Sequence, residues 1–136
     1  MRTNHVLASL LLLAGAPGMA IANGDHTAEA DLAKAIAGRT ASAPVDCIQL
    51  HDIESTEVFD KTAILYRTIG GKIYVNRPSA GLSSLRDNDI LVTKSWTPEL
   101  CSVDTVDLVD QVSRFPDGFV FLNQFVPYSK APRSAE

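Results

Sequence analysis

The rhythm of apolar and polar positions changes at Pro44. Between Asn23 and Ala43 it is helical: Leu32, Ala33, Ile36 and Ala37 lie along one face, while Glu29, Asp31 and Lys34 lie elsewhere. Asp25 or Thr27 can cap the start and Gly38 can end the segment in a left-handed conformation, so the pattern predicts one short helix over Ala28–Ala37. Its apolar face is thin, and a helix of this length must dock on the rest of the chain or fray. Residues Thr40 to Pro44 read as a linker.

Beyond Pro44 the period becomes that of strands. Val45 and Cys47 alternate with Asp46 and Ile48, and Val58–Phe59, Ala63–Tyr66 and Ile73–Val75 are rich in β-branched and aromatic residues. Gly70-Gly71 separates two of these runs and supplies the positive φ of a tight hairpin turn. Further strands are expected at Asp89–Lys94, Val103–Val109 and Gly118–Val126, bounded by turn residues such as Arg86-Asp87-Asn88 and Pro116-Asp117-Gly118. Val103, Val106, Val109 and Val112 recur every third residue, as in a helix, but their β-branching favours a strand. The residues after Tyr128 read as a disordered tail.

Many short strands with no helices between them argue against a parallel sheet, which needs crossovers. The expected fold is mainly β: a small antiparallel sheet, strongly curved or closed into a barrel, of about six strands with one N-terminal helix. The chain then divides into an export signal (1–22), the helix and linker (23–44), the β domain (45–128) and the tail (129–136).

The export signal rests on three features. Arg2 supplies a positive start, Val6 to Ala14 a short apolar run, and Ala20-Ile21-Ala22 the small-x-small pattern of a cleavage site. The apolar run is about half of the ~20 residues needed to cross a bilayer, and Gly15, Pro17 and Gly18 interrupt it. Cleavage is expected after Ala22, leaving Asn23 first; with no cysteine there, no lipid anchor is expected, nor any stable membrane insertion. The expected location is the periplasm or the medium.

Cleavage removes Arg2 alone among the charged residues, so 12 basic and 16 acidic residues become 11 and 16, a net charge of −5. The basic residues are scattered singly, and an acidic chain without a basic face is a poor partner for nucleic acid. Cys47 and Cys101 are the only cysteines, and outside a reducing cytoplasm they are expected to pair. Such a bridge closes a loop of roughly 55 residues, which chain entropy rates at about 4 kcal/mol. No C-x-x-C spacing supports a redox role.

Ala37-Gly38-Arg39, Cys47-Ile48, Tyr74-x-Asn76-Arg77, Leu100-Cys101-x-x-Asp104 and Leu122-x-x-Phe125-x-Pro127 together resemble a family of small exported proteobacterial proteins described as a domain of unknown function. The resemblance spans Ala37 to Pro127 and implies export and a Cys47–Cys101 bridge, but no activity. Relatives carry a second cysteine pair at places that align with Leu82 and Val120 here, so the resemblance implies an apolar contact in place of a second bridge.

Candidate chemistry is sparse. His26 and His51 lack metal-ligand spacing, and His51-Asp52 with Glu54 reads as an exposed turn rather than as a cation site or acid/base pair. Ser83, Ser84 and Ser102 lack a nucleophile elbow. Asp104, Asp107 and Asp110 recur every third residue without the glycine of a calcium loop and read as a solvated rim. Trp96 is expected in the core or as a lid over the barrel end, rather than as an exposed binding residue. No metal or other cofactor is expected.

Arg77 and Asp104, with Asn76 beside them, are expected to form the polar heart of whatever site the domain has. Arg77 leaves its strand next to Pro78, Asp104 closely follows Cys101, and a guanidinium fixed by a carboxylate still offers donors to an anion. The plainer form of the expectation is that the two pair to hold a turn against the sheet. The leading functional reading is a non-enzymatic binding or interaction module of the cell envelope, taking an envelope protein or a small ligand; the alternative is a small hydrolase or enzyme-inhibitor domain with a loop-built site.

Overall fold

A computed structural model describes residues 25–132; the expected export signal, with Ala20 and Ala22, lies outside the described residues. Among the described residues the fold is mainly β, with one α-helix, α1 (Asp25–Ala35), and ten strands in three antiparallel sheets. The strands are β1 (Arg39–Ala41), β2 (Cys47–Gln49), β3 (Ile53–Phe59), β4 (Ala63–Thr68), β5 (Ile73–Asn76), β6 (Asp89–Thr93), β7 (Glu99–Cys101), β8 (Thr105–Asp110), β9 (Pro116–Phe121) and β10 (Phe125–Lys130). The first sheet runs β1-β10-β5-β4-β3, the second β6-β8-β9, and β2 pairs with β7 in a short ribbon. The sheets do not close into a barrel, because β3 and β6 each pair on one side only.

Strand alternation explains how one chain fills two apolar layers. In β4, Ile64 and Tyr66 face the space between the sheets, where they pack with Leu85, Leu100, Val106, Leu108, Val120 and Phe125. Ala63 and Leu65 face the other way and meet Ala28 and Leu32 of α1, with Ile73 and Val75 of β5. Leu65 is wholly buried and Leu32 is 1% exposed, so the helix docks through its (i, i+4) pair Ala28 and Leu32. Burying each large aliphatic chain in these layers is worth about 1.5–3 kcal/mol.

The β4–β5 hairpin forms where Gly70-Gly71 predicts it. The N–H of Gly71 donates to Thr68 O, and only Gly71 of the pair takes a positive φ, 81°. Gly81 has a different reason to be glycine. At φ 85° it lies so close to β9 that a Cβ would run into the carbonyl oxygen of Phe119.

Several boundaries differ from the sequence reading. The helix starts at Asp25 and ends at Ala35. The expected linker supplies Thr40 and Ala41 to β1, a three-residue strand too short to show a period, and the expected tail supplies Ser129 and Lys130 to β10; both close the same edge through Arg39↔Lys130 and Thr40↔Ser129. The single strand expected over Gly118–Val126 is two, β9 and β10, turned at Leu122–Gln124. Val103–Val112 is strand where β8 runs, as its β-branching favours. Ten strands replace about six because β1 and β7, three residues each, are too short to show a period and because one expected strand is two. Leu82 and Val120 belong to the same apolar cluster.

The two cysteines are bridged. Cys47 and Cys101 stand directly opposite in the β2–β7 register, with Cα atoms 4.0 Å apart, and they enclose 54 residues of sequence separation. Replacing both by alanine is expected to lower stability by about 2–5 kcal/mol in chemical denaturation, and non-reducing mass spectrometry is expected to show the native protein two hydrogens lighter than the dithiol form.

Candidate functional site

The residues expected at the polar heart are held in three separate ways. Asn76 ends β5 with its side chain turned to the inner core, fully buried; its Nδ2 donates to Asn123 O at 2.5 Å and its Oδ1 accepts from the N–H of Asn123 at 3.2 Å. It clamps the β9–β10 turn and is not presented to a ligand. Arg77, one residue on, turns to the opposite face, where it meets α1 rather than Asp104. Its guanidinium donates to both carboxylate oxygens of Glu29, at 2.7 and 2.9 Å.

Hydrogen bonding to Arg77 lowers the Glu29 pKa from its ordinary value, and the same bonding raises that of Arg77. Asp104 is committed as well. Its Oδ2 accepts from the N–H of Cys101 at 2.7 Å, and its carbonyl accepts from Leu122 N–H at 3.0 Å. The Arg77–Asp104 pair therefore does not form. Asn76 and Asp104 share one task, holding the turn at Leu122–Gln124 from two sides.

The acidic ladder is likewise structural. Asp107 accepts from Lys94 at 2.6 Å, and Asp110 accepts from Asn88 and from the N–H groups of Val112 and Ser113, folding the β8–β9 turn. Those bonds, led by Ser113 N–H, lower the Asp110 pKa. His51 Nε2 lies 3.2 Å from Asp52 Oδ1 with both side chains exposed, as the turn reading expects, and among the described residues no serine hydroxyl bonds to His51. Trp96 departs from expectation: it stands fully exposed on the β6–β7 loop, which Ser95 Oγ braces against the carbonyls of Thr97 and Glu99. Phe119 and Phe121, about half exposed, stack edge to face on β9, at the far edge of the second sheet.

A cavity lies where the barrel fails to close. Two backbone bonds span the seam between β3 and β6 at its ends: Lys61 N–H to Leu85 O at 2.9 Å, and Leu50 N–H to Pro98 O at 2.8 Å. Because Leu85 precedes β6 and Pro98 follows it, the two strands run antiparallel across the gap. Between them is a cavity of about 380 Å³, walled by Leu50 and Ile53 on one side and by Ile90, Leu91 and Leu100 on the other, with Tyr66 among its lining. Thr56 and Asp89 also line a second hollow of about 890 Å³, which continues past the end of β3 toward α1. One groove thus follows both free edges, apolar at one end and acidic at the other.

Two features of this groove run against stability. Tyr66 is 3% exposed and packs edge to face on Phe125, yet its hydroxyl has no hydrogen-bond partner in the protein. A buried donor left unpaired costs about 1–3 kcal/mol. Burial also pushes its phenol above the ordinary range. Asp89 is the second feature: burial raises its carboxyl, the carboxylates of Asp117 and Asp110 raise it further, and the N–H and side chain of Arg86 oppose them. Its Oδ2 accepts from Arg86 N–H at 2.8 Å, while Oδ1 is buried without a partner.

The local sequence offers one hint of the groove. A hydroxyl-bearing aromatic closes the otherwise apolar run Ala63-Ile64-Leu65-Tyr66. Which strands keep a free edge is settled only by tertiary pairing.

The raised carboxyl of Asp89 has a definite pH consequence. The folded state binds that proton more tightly than the unfolded chain, so the ionised group costs stability at neutral pH, and the cost fades as pH falls through the raised value to the ordinary carboxylate range. Asp89→Asn keeps an acceptor for Arg86 N–H. Urea denaturation is expected to show the variant more stable than the parent near about pH 7, with the advantage gone near about pH 3.

No protein-family model, curated protein or solved structure matches this chain.

Proposed function

We propose that this protein is a non-enzymatic binding module of the cell envelope, and that the seam between β3 and β6 is where it binds. The observation that carries the reading is Tyr66, which lines the seam cavity beside Ile53 and Leu91 while its hydroxyl is buried without a protein partner. A ligand group that reaches it recovers the hydrogen bond that folding forfeits. The disulfide fits an extracellular or periplasmic location, and among the described residues no helix is long and apolar enough to cross a membrane. The sequence pattern around Ala20 and Ala22 adds export to the reading.

The groove is tested with the neutral fluorescent dye Nile red and two variants. The parent protein is expected to bind the dye saturably at one site, and Thr56→Trp, which fills the groove from an exposed position on β3, is expected to abolish that binding while folding normally. Tyr66→Phe is expected to raise stability by about 1–3 kcal/mol, because it deletes the unpaired hydroxyl. Dye binding that Thr56→Trp leaves intact, or no saturable binding by the parent, would overturn the assignment.

A further inference from the structure

Resting on that reading, we infer that the groove takes an extended polypeptide segment of another protein, added as a strand to one of its free edges, with basic side chains at the Asp89 end and apolar side chains at the Leu91 end. Three independent observations converge on this class of ligand.

The first is backbone. β3 pairs only with β4, and β6 only with β8, so each turns its unpaired N–H and C=O groups toward the seam. A peptide backbone is the ligand that satisfies such a row, as in strand addition generally. β3 is seven residues long, enough to align a segment of roughly 20 Å.

The second is side-chain chemistry. Successive residues of an added strand point to opposite sides, so alternate side chains of the segment enter the groove. There they meet Ile53, Leu91 and Leu100, with Tyr66 in the same lining.

The third is charge. Five carboxylates line the continuation of the groove, and two of them are already matched: Asp31 by Lys34 at 3.0 Å and Glu57 by Arg67 at 2.9 Å. Among the described residues no lysine or arginine pairs with Asp60, Asp87 or Asp89. The charge these three leave without an ion pair, part of it on a carboxyl that burial already disfavours, complements a basic segment. The protein's own acidity makes a second copy a poorer occupant.

The test is a titration of the mature, disulfide-intact protein with the capped octapeptide acetyl-Lys-Thr-Lys-Thr-Val-Thr-Leu-Thr-amide. Saturable binding that weakens with salt, is displaced by filling the groove in Thr56→Trp, and falls about fivefold or more in Asp60→Asn/Asp87→Asn is expected. Methylating alternate backbone nitrogens of the peptide, in each of the two phases, is expected to abolish binding in one phase only. Equal binding of a peptide with glutamate in place of lysine, or indifference to methylation in both phases, would overturn the inference. So would self-association of the protein through the groove, relieved by Thr56→Trp. Nile red bound in the groove with no peptide competing would overturn the peptide while leaving the binding module standing; failure of dye and peptide alike removes both.

Discussion

The structure depends on a strand that is buried on both faces. β4 gives Ile64 and Tyr66 to the layer between the sheets and Ala63 and Leu65 to the layer under α1, and it pairs with β3 on one side and β5 on the other. Everything else is arranged around that strand. Because it serves both layers, the first sheet can curve over the second without either sheet being long, and β3 is left as its outer edge. The second sheet ends at β6. Both outer edges then face each other across a gap whose ends are tied by Lys61 to Leu85 and Leu50 to Pro98. The disulfide-linked ribbon anchors the second of these ties, since Leu50 follows β2 and Pro98 precedes β7.

Such a gap is unusual for a stable fold, since facing free edges in a small antiparallel domain gain by pairing. Here the gap coincides with two further departures from optimal packing, the unpaired hydroxyl of Tyr66 and the burial-strained carboxyl of Asp89. The three lie along one continuous groove. Local conflicts with stability concentrated at one place are what a binding site leaves behind when it is formed at the expense of the fold. The aromatic pair Phe119–Phe121 lies at the opposite edge of the second sheet.

Much of the fold was legible in the sequence, for physical reasons that differ from the reasons the site was not. The hairpin at Gly70-Gly71, the β-branched strands and the pairing of Cys47 with Cys101 follow from local backbone preference and from a cysteine count. The partners of Arg77 do not. Arg77 meets Glu29 because alternation along β5 turns it toward α1, and that requires knowing which face the helix covers. Asn76 turns the other way for the same reason and becomes a buried clamp instead of a ligand contact. Trp96 was expected inside because large aromatics are mostly buried, but a loop braced by Ser95 holds it outside. β1 is not legible because three residues carry no period, nor is the groove, because a free edge is a property of the sheet order and not of any strand's own sequence.

The central claim is that β3 and β6 remain unpaired with each other in the isolated protein. Amide hydrogen exchange followed residue by residue in the disulfide-intact chain tests it most directly. Amides of β4 and β8 are expected to be strongly protected, while the alternate amides of β3 and β6 that face the seam exchange at rates close to those of exposed loops. Strong protection of the seam-facing amides of both strands would show the barrel closed in solution, and would contradict the account.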